Sequence, residues 1–168
     1  MSRPDHSEID GVSFDGIEAL DALADWSDWM QLEAAAEHAP RVPGVYRVRE
    51  GPAGPLVYVG MAGERAGSGV PKGLQGRLRV YSSGKALTSG LGEALADRAF
   101  ADPAWLRARL AEAEAGHPMR ARDWGRAAIE RAAPHISWAT RADKAAARAL
   151  EQACIDRLRG VSLWNRRR

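Results

Sequence analysis

Six side chains of this 168-residue chain have the types and order that a hydrolytic site would use. Tyr46 and Tyr58 are separated by eleven residues, Arg77 and Tyr81 stand four apart, and Glu151 and Asn165 follow far downstream. Phenols position water or relay protons, and a guanidinium neutralises a developing oxyanion through its planar fork. A lone carboxylate answers a cation. Phosphodiester hydrolysis needs these functions together: a nucleophilic water, charge neutralisation at the phosphoryl oxygens and help for the departing alkoxide.

The elements that must hold these groups are legible locally. Gly44-Val45-Tyr46-Arg47-Val48 and Leu56-Val57-Tyr58-Val59-Gly60 are β-branched and aromatic, and Glu50-Gly51-Pro52-Ala53-Gly54-Pro55 between them is turn chemistry, so the segment predicts a β-hairpin. Alternation puts Tyr46 and Val48 on one face, away from Val45 and Arg47, and lets the two tyrosines meet across the hairpin. Taken alone, such tyrosines could equally be packing residues of a half-buried hairpin. Leu74, Leu78 and Tyr81 recur at helical spacing, which places Arg77 and Tyr81 on one face of a short helix. A second helix, from about Asp143 to Arg159, gathers Ala147, Leu150, Cys154, Ile155 and Leu158 in an apolar arc into which Glu151 projects. A carboxylate there requires a cation, a metal or a hydrogen bond. A buried ion pair with an arginine is the alternative.

The string Pro43-Gly44-Val45-Tyr46-Arg47-Val48, then Val57-Tyr58-Val59-Gly60, Gly76-Arg77-Leu78 with Tyr81, Leu150-Glu151-Gln152 and Trp164-Asn165 resembles the GIY-YIG nucleases in residue type and order. The resemblance covers about residues 41 to 83 and 134 to 166. It implies an α+β fold: a small three-stranded, mainly antiparallel sheet flanked by helices, with one metal-dependent hydrolytic site that cuts DNA. Carried over by position, Tyr46 looks like the general base or water-positioning phenol and Tyr58 like its hydrogen-bonding partner. Arg77 looks like the cation on the scissile phosphate, and Tyr81 like a polar group at the leaving-group side. Glu151 looks like the single protein ligand of Mg²⁺ (or Mn²⁺), and Asn165 like a tie between the C-terminal segment and the sheet. Mg²⁺ suits such a site because it keeps most of its waters and accepts substrate oxygens. Many relatives carry a lysine where this chain has Met61, and the glycine-rich stretch from Gly60 to Arg77 lacks the ordered Gly-Lys-Ser/Thr of a P-loop, so it reads as a flexible lip beside the site. Two rival functions keep the same fold: a non-catalytic module that binds nucleic acid or a partner, and a phosphodiesterase acting on RNA.

Composition frames the remainder. The chain reads as one domain with an acidic N-terminal arm (1–40) and a helical insertion (84–133). Within the insertion, Leu87 to Phe100, Trp105 to Ala115 and Trp124 to Ala132 each show three- and four-residue apolar steps. Its arginines, interleaved with Trp105 and Trp124, read either as a substrate grip or as a solvated face over core-capping tryptophans. A strand is predicted over about His135 to Thr140. Net charge is +2, yet residues 1–40 hold ten acids against Arg3 alone, and residues 41–168 hold twenty-three Lys and Arg against twelve acids. A basic body fits a polyanionic partner, DNA foremost. The arm predicts one amphipathic helix, Phe14 to His38, with a solvated acidic face; the alternative is a nucleic-acid mimic that shields the basic surface. A single cysteine, Cys154, excludes an internal disulfide. With a polar N-terminus and no membrane-length apolar run, this gives a cytoplasmic expectation. His6, His38, His117 and His135 show no ligand-like spacing, which argues against zinc.

Overall fold

The structure, a computed structural model, describes residues 16–64, 72–88 and 90–165. Phe14, His6 and the middle of the glycine-rich connection, residues 65–71, lie outside the described residues. In chain order the elements are α1 (Ile17–Asp21), β1 (Met30–Gln31), α2 (Leu32–His38), β2 (Gly44–Arg49), β3 (Leu56–Ala62), α3 (Gly73–Ser82), α4 (Gly90–Phe100), α5 (Pro103–Glu114), α6 (Ala121–Ala132), β4 (His135–Thr140) and α7 (Lys144–Arg157). The class is α+β. Among the described residues no helix is long and apolar enough to cross a membrane.

The sheet has four antiparallel strands in the order β1-β4-β2-β3, one more than the expected three. The extra strand comes from the N-terminal segment, where the single predicted helix does not form. α1 ends at Asp21, and the chain then runs extended beside β4: the Ser27 amide donates to the Trp138 carbonyl (2.8 Å), the Ser137 hydroxyl to the Ser27 carbonyl (2.8 Å), and the Trp138 amide to Ser27 Oγ (3.0 Å). Asp25, Ser27 and Asp28 offer the main chain non-helical hydrogen bonds, and β4 offers an unpaired edge. Long-range strand pairing therefore overrides an apolar periodicity that runs through the whole segment. The helix resumes at α2.

Arg47 anchors this arrangement. It lies on the face of β2 opposite Tyr46 and is buried. Its guanidinium donates to Asp21 Oδ1 (2.7 Å), Ser137 Oγ (3.2 Å) and the Ile17 carbonyl (3.4 Å), and lies over the rings of Trp26 (4.4 Å) and Trp29 (4.9 Å). Through it the N-terminal segment joins the sheet, and residues 16–40 of the acidic arm are a packed part of the body. On the same face, Val45, Leu56, Val59 and Ala139 pack against Leu20 of α1, Leu150 and Cys154 of α7 and Leu158 just after that helix.

On the opposite face Tyr46, Val48, Tyr58 and Ile136 pack beneath α2, α3, α4 and α6. A bulge sets the boundary between the two patterns. Val48 pairs with Tyr58 but Arg49 with Leu56, which leaves Val57 extra; alternation reverses there, so Val57 joins the tyrosine face and Leu56 the Val45 face. Helix starts follow local chemistry: Asp143 caps α7 through the Ala146 amide (2.8 Å), and Asp102, followed by Pro103, caps α5 through Ala104 and Trp105.

Removing a buried charge that holds several partners costs more than removing its exposed counter-ion. Arg47→Ala is expected to destabilise the fold by about 3 kcal/mol, and Asp21→Ala, whose side chain is 55% exposed, by about 1 kcal/mol or less. Urea denaturation of the two variants measures the difference.

Candidate active site

Tyr46 faces Gly60 across the β2–β3 ladder, and Tyr58 is the diagonal neighbour. The two rings stack at 6.2 Å between centroids, 18° apart. Tyr81, one helical turn after Arg77 on α3, meets Tyr46 edge-on at 6.1 Å, and the two hydroxyls share a hydrogen bond of 3.1 Å. This cluster requires Gly60: a Cβ there would meet the Tyr46 hydroxyl, with Tyr46 Cζ at 2.6 Å and Tyr58 Cε1 at 2.9 Å. Gly90, at the start of α4 with φ of 54°, lies against the Tyr81 and Tyr58 hydroxyls from outside. Its missing side chain lets α4 approach that closely.

Arg77 is exposed, and its charge reaches both Tyr46 and Tyr58. Glu151 acts electrostatically on Tyr58 and on Cys154. Tyr46, Tyr58 and Tyr81 thus form one cluster, and the charges of Arg77 and Glu151, carried by two different helices, both act on Tyr58. Asn165 stands at the edge of β3. Its amide accepts from the Val59 N–H (3.1 Å) and donates to the Val59 carbonyl (2.6 Å), while the Trp164 amide donates to the carbonyl of the bulged Val57 (2.6 Å). Two residues thereby occupy an edge strand's open hydrogen bonds.

Two placements differ from the sequence reading. Glu151 is half-buried at the margin of the α7 apolar arc, whose buried members are Ala147, Leu150, Cys154 and Leu158. The arc narrows because α7 packs only one side on the sheet. Tyr46 is 1% exposed, and burial, followed by the neighbouring Tyr81 and Tyr58 phenols, raises its pKa well above the ordinary value, with Arg77 opposing. Burial also raises Tyr58, with added contributions from Tyr81 and Glu151. Both are therefore neutral phenols at physiological pH. Of the two roles the resemblance leaves for Tyr46, hydrogen bonding suits this environment and proton abstraction does not. Burial pushes the Cys154 thiol up to about 11, so it serves as an unreactive core residue.

The carboxylate supply bears on a metal. Among the described residues no group of three or more His, Cys, Asp or Glu side chains forms a cluster that could hold an ion. A single half-buried carboxylate suits only a hard divalent ion that keeps most of its water shell, and Glu151 is the residue that would hold it.

Sequence reasoning passed over Lys144. It begins α7, seven residues before Glu151 and so on nearly the same helical face, and its side chain runs alongside Gly63 just beyond β3. The seven-residue offset was the available signal. In the insertion, Trp105 and Trp124 (5.4 Å) and Phe100 pack on one another, while Arg131 pairs with Asp102 (2.9 Å) and Arg109 with Glu112 (3.1 Å).

The folded chain holds the Tyr46 and Tyr58 protons more tightly than the unfolded chain, whose tyrosines titrate near about 10. Stability is therefore level below that pH and falls as pH rises above it. Urea titrations between about pH 8 and pH 11 should show the decline, and Tyr46→Phe should lessen it. Gly60→Ala, which drives a methyl group into two fixed rings, should cost about 1–3 kcal/mol by the same measurement.

No protein-family model, no curated protein and no solved structure matches the chain.

Proposed function

We propose that the protein is a metal-dependent endonuclease that hydrolyses DNA phosphodiester bonds by attack of water, in the manner of the GIY-YIG nucleases it resembles. The observation that carries this reading is the convergence of an exposed guanidinium, a half-buried carboxylate and three phenols beside β3. In this reading Arg77, open to solvent, grips the scissile phosphate and neutralises charge that grows on its oxygens. Glu151 holds Mg²⁺ (or Mn²⁺), which when bound supplies Lewis acidity and a more acidic water. Tyr58, the least buried of the three phenols, orients water or a phosphate oxygen. Tyr46 and Tyr81 brace it from behind through their shared hydrogen bond, so their part is positioning. Asn165 keeps the β3 edge and the C-terminal segment in register with these groups.

The basic charge of residues 41–168 supports a polyanionic substrate, held through contacts that weaken as salt rises. Water attack at one site cuts one strand at a time. A second reading, a nucleic-acid-binding module without catalysis, draws on the near-complete burial of Tyr46.

Incubation with plasmid, single-stranded DNA and RNA in Mg²⁺ separates the readings. Nicking of plasmid that EDTA abolishes is expected, with losses of about 100-fold or more in Glu151→Ala and Arg77→Ala and folding intact by circular dichroism. Binding of every substrate with cleavage of none establishes the binding module. Cleavage of RNA alone reassigns the substrate.

A further inference from the structure

Helix α5 is anomalous in this fold: none of its twelve residues is buried. It is held at its N-terminal end by the Asp102 cap, the Asp102–Arg131 ion pair and the contact of Trp105 with Phe100 and Trp124. Beyond that point Leu106 (37% exposed), Leu110 (57% exposed) and Ala113 form a stripe at steps of four and three, above an open apolar groove whose floor includes Trp124. A helix this short is marginal in water unless an apolar face is covered. Arg107 and Arg109 flank the stripe in its first half, Glu112 and Glu114 in its second.

That charge order selects the occupant. A polyanion would be favoured along the arginines but repelled along the glutamates, and an acidic peptide would meet the same conflict. A parallel copy of α5 would set arginine beside arginine. A copy turned by half about the middle of the helix, near Leu110, sets the Arg107/Arg109 end of each chain along the Glu112/Glu114 end of the other, with the leucines between them. Glu112 is already paired with Arg109 within the chain. Arg107 and Glu114 are thus the pair that can join across the interface.

We propose that α5 is a homodimerisation surface, on which a second copy of this chain packs antiparallel with Leu106 and Leu110 in the seam and Arg107 opposite Glu114 of the other copy. The geometry is that of a short antiparallel coiled coil, in which flanking charges set orientation and partner choice. Three helical turns make a small interface, of the weak and reversible class. The inference is independent of the proposed nuclease site, which lies beside β3 and shares no residue with this surface.

Sedimentation velocity of the full chain across the micromolar range tests it. Wild type is expected to associate to a dimer and Leu110→Glu to remain monomeric with an unchanged circular dichroism spectrum. Arg107→Glu and Glu114→Arg should each weaken self-association about tenfold or more, by the size of a lost and then repelling charge pair. Mixed together, those two single variants should form a heterodimer, because each then meets its complement. A monomeric wild type at every concentration overturns the proposal. So does a dimer that survives Leu110→Glu, or a mixture of the two charge variants that fails to associate where wild type does.

Discussion

The tyrosine face of the sheet depends on an absence, the missing side chain of Gly60. Because nothing projects from β3 opposite Tyr46, the Tyr46 ring lies down across the strand, stacks on Tyr58 and reaches Tyr81 on α3. One small residue thereby brings three phenols from three elements into contact. Interiors pack at crystal-like density, so the same space could not hold both a methyl group and the ring. The placement of α3, and with it Arg77, follows from Tyr81 being the side chain that meets this cluster.

The opposite face is organised around a charge. Arg47 is enclosed by two indole rings, a carboxylate, a hydroxyl and a carbonyl, so its positive charge is satisfied from several sides at once. All of these but the Ser137 hydroxyl come from the N-terminal segment and help to hold it against the sheet. Adjacent residues of β2, Tyr46 and Arg47, therefore tie the two layers to one strand: phenols and the insertion on one side, α1 and α7 on the other.

The two layers meet beside β3, where the proposed site lies. The outer hydrogen bonds of β3 are taken up by Trp164 and Asn165, Arg77 approaches from the tyrosine layer, and Glu151 belongs to the helix of the Arg47 layer. The electrostatic consequence is graded. Tyr46 and Tyr58 hold their protons, while the Arg77 guanidinium remains open to solvent and the Glu151 carboxylate is half-buried. Such a gradient suits neutral hydrogen bonding behind and charge recognition in front.

Much of this architecture is readable from residues near one another in the chain. β2, β3 and β4 follow from β-branched and aromatic runs with Gly-Pro turn chemistry, and α3, α4, α5, α6 and α7 from apolar periodicity, with Asp102 and Asp143 marking two starts. α4, α5 and α6 lie where the apolar steps of residues 87–132 place them. Spacing within α3 also puts Arg77 and Tyr81 on one face. None of these requires knowledge of a distant partner.

Other features arise only when distant segments meet. The N-terminal periodicity over 14–38 points to one helix, yet β4 captures Ser27 to Gln31, because an unpaired strand edge offers main-chain hydrogen bonds that no local pattern encodes. The Val57 bulge, the room at Gly60, the burial of Tyr46 and the position of Glu151 at the rim of its helix are likewise decided by what packs opposite. Local sequence thus determined most of the elements after residue 40 and the side chains they carry. Tertiary packing decided which of those side chains lose their water and which keep it, since desolvation depends on all neighbours in space and not on neighbours in sequence.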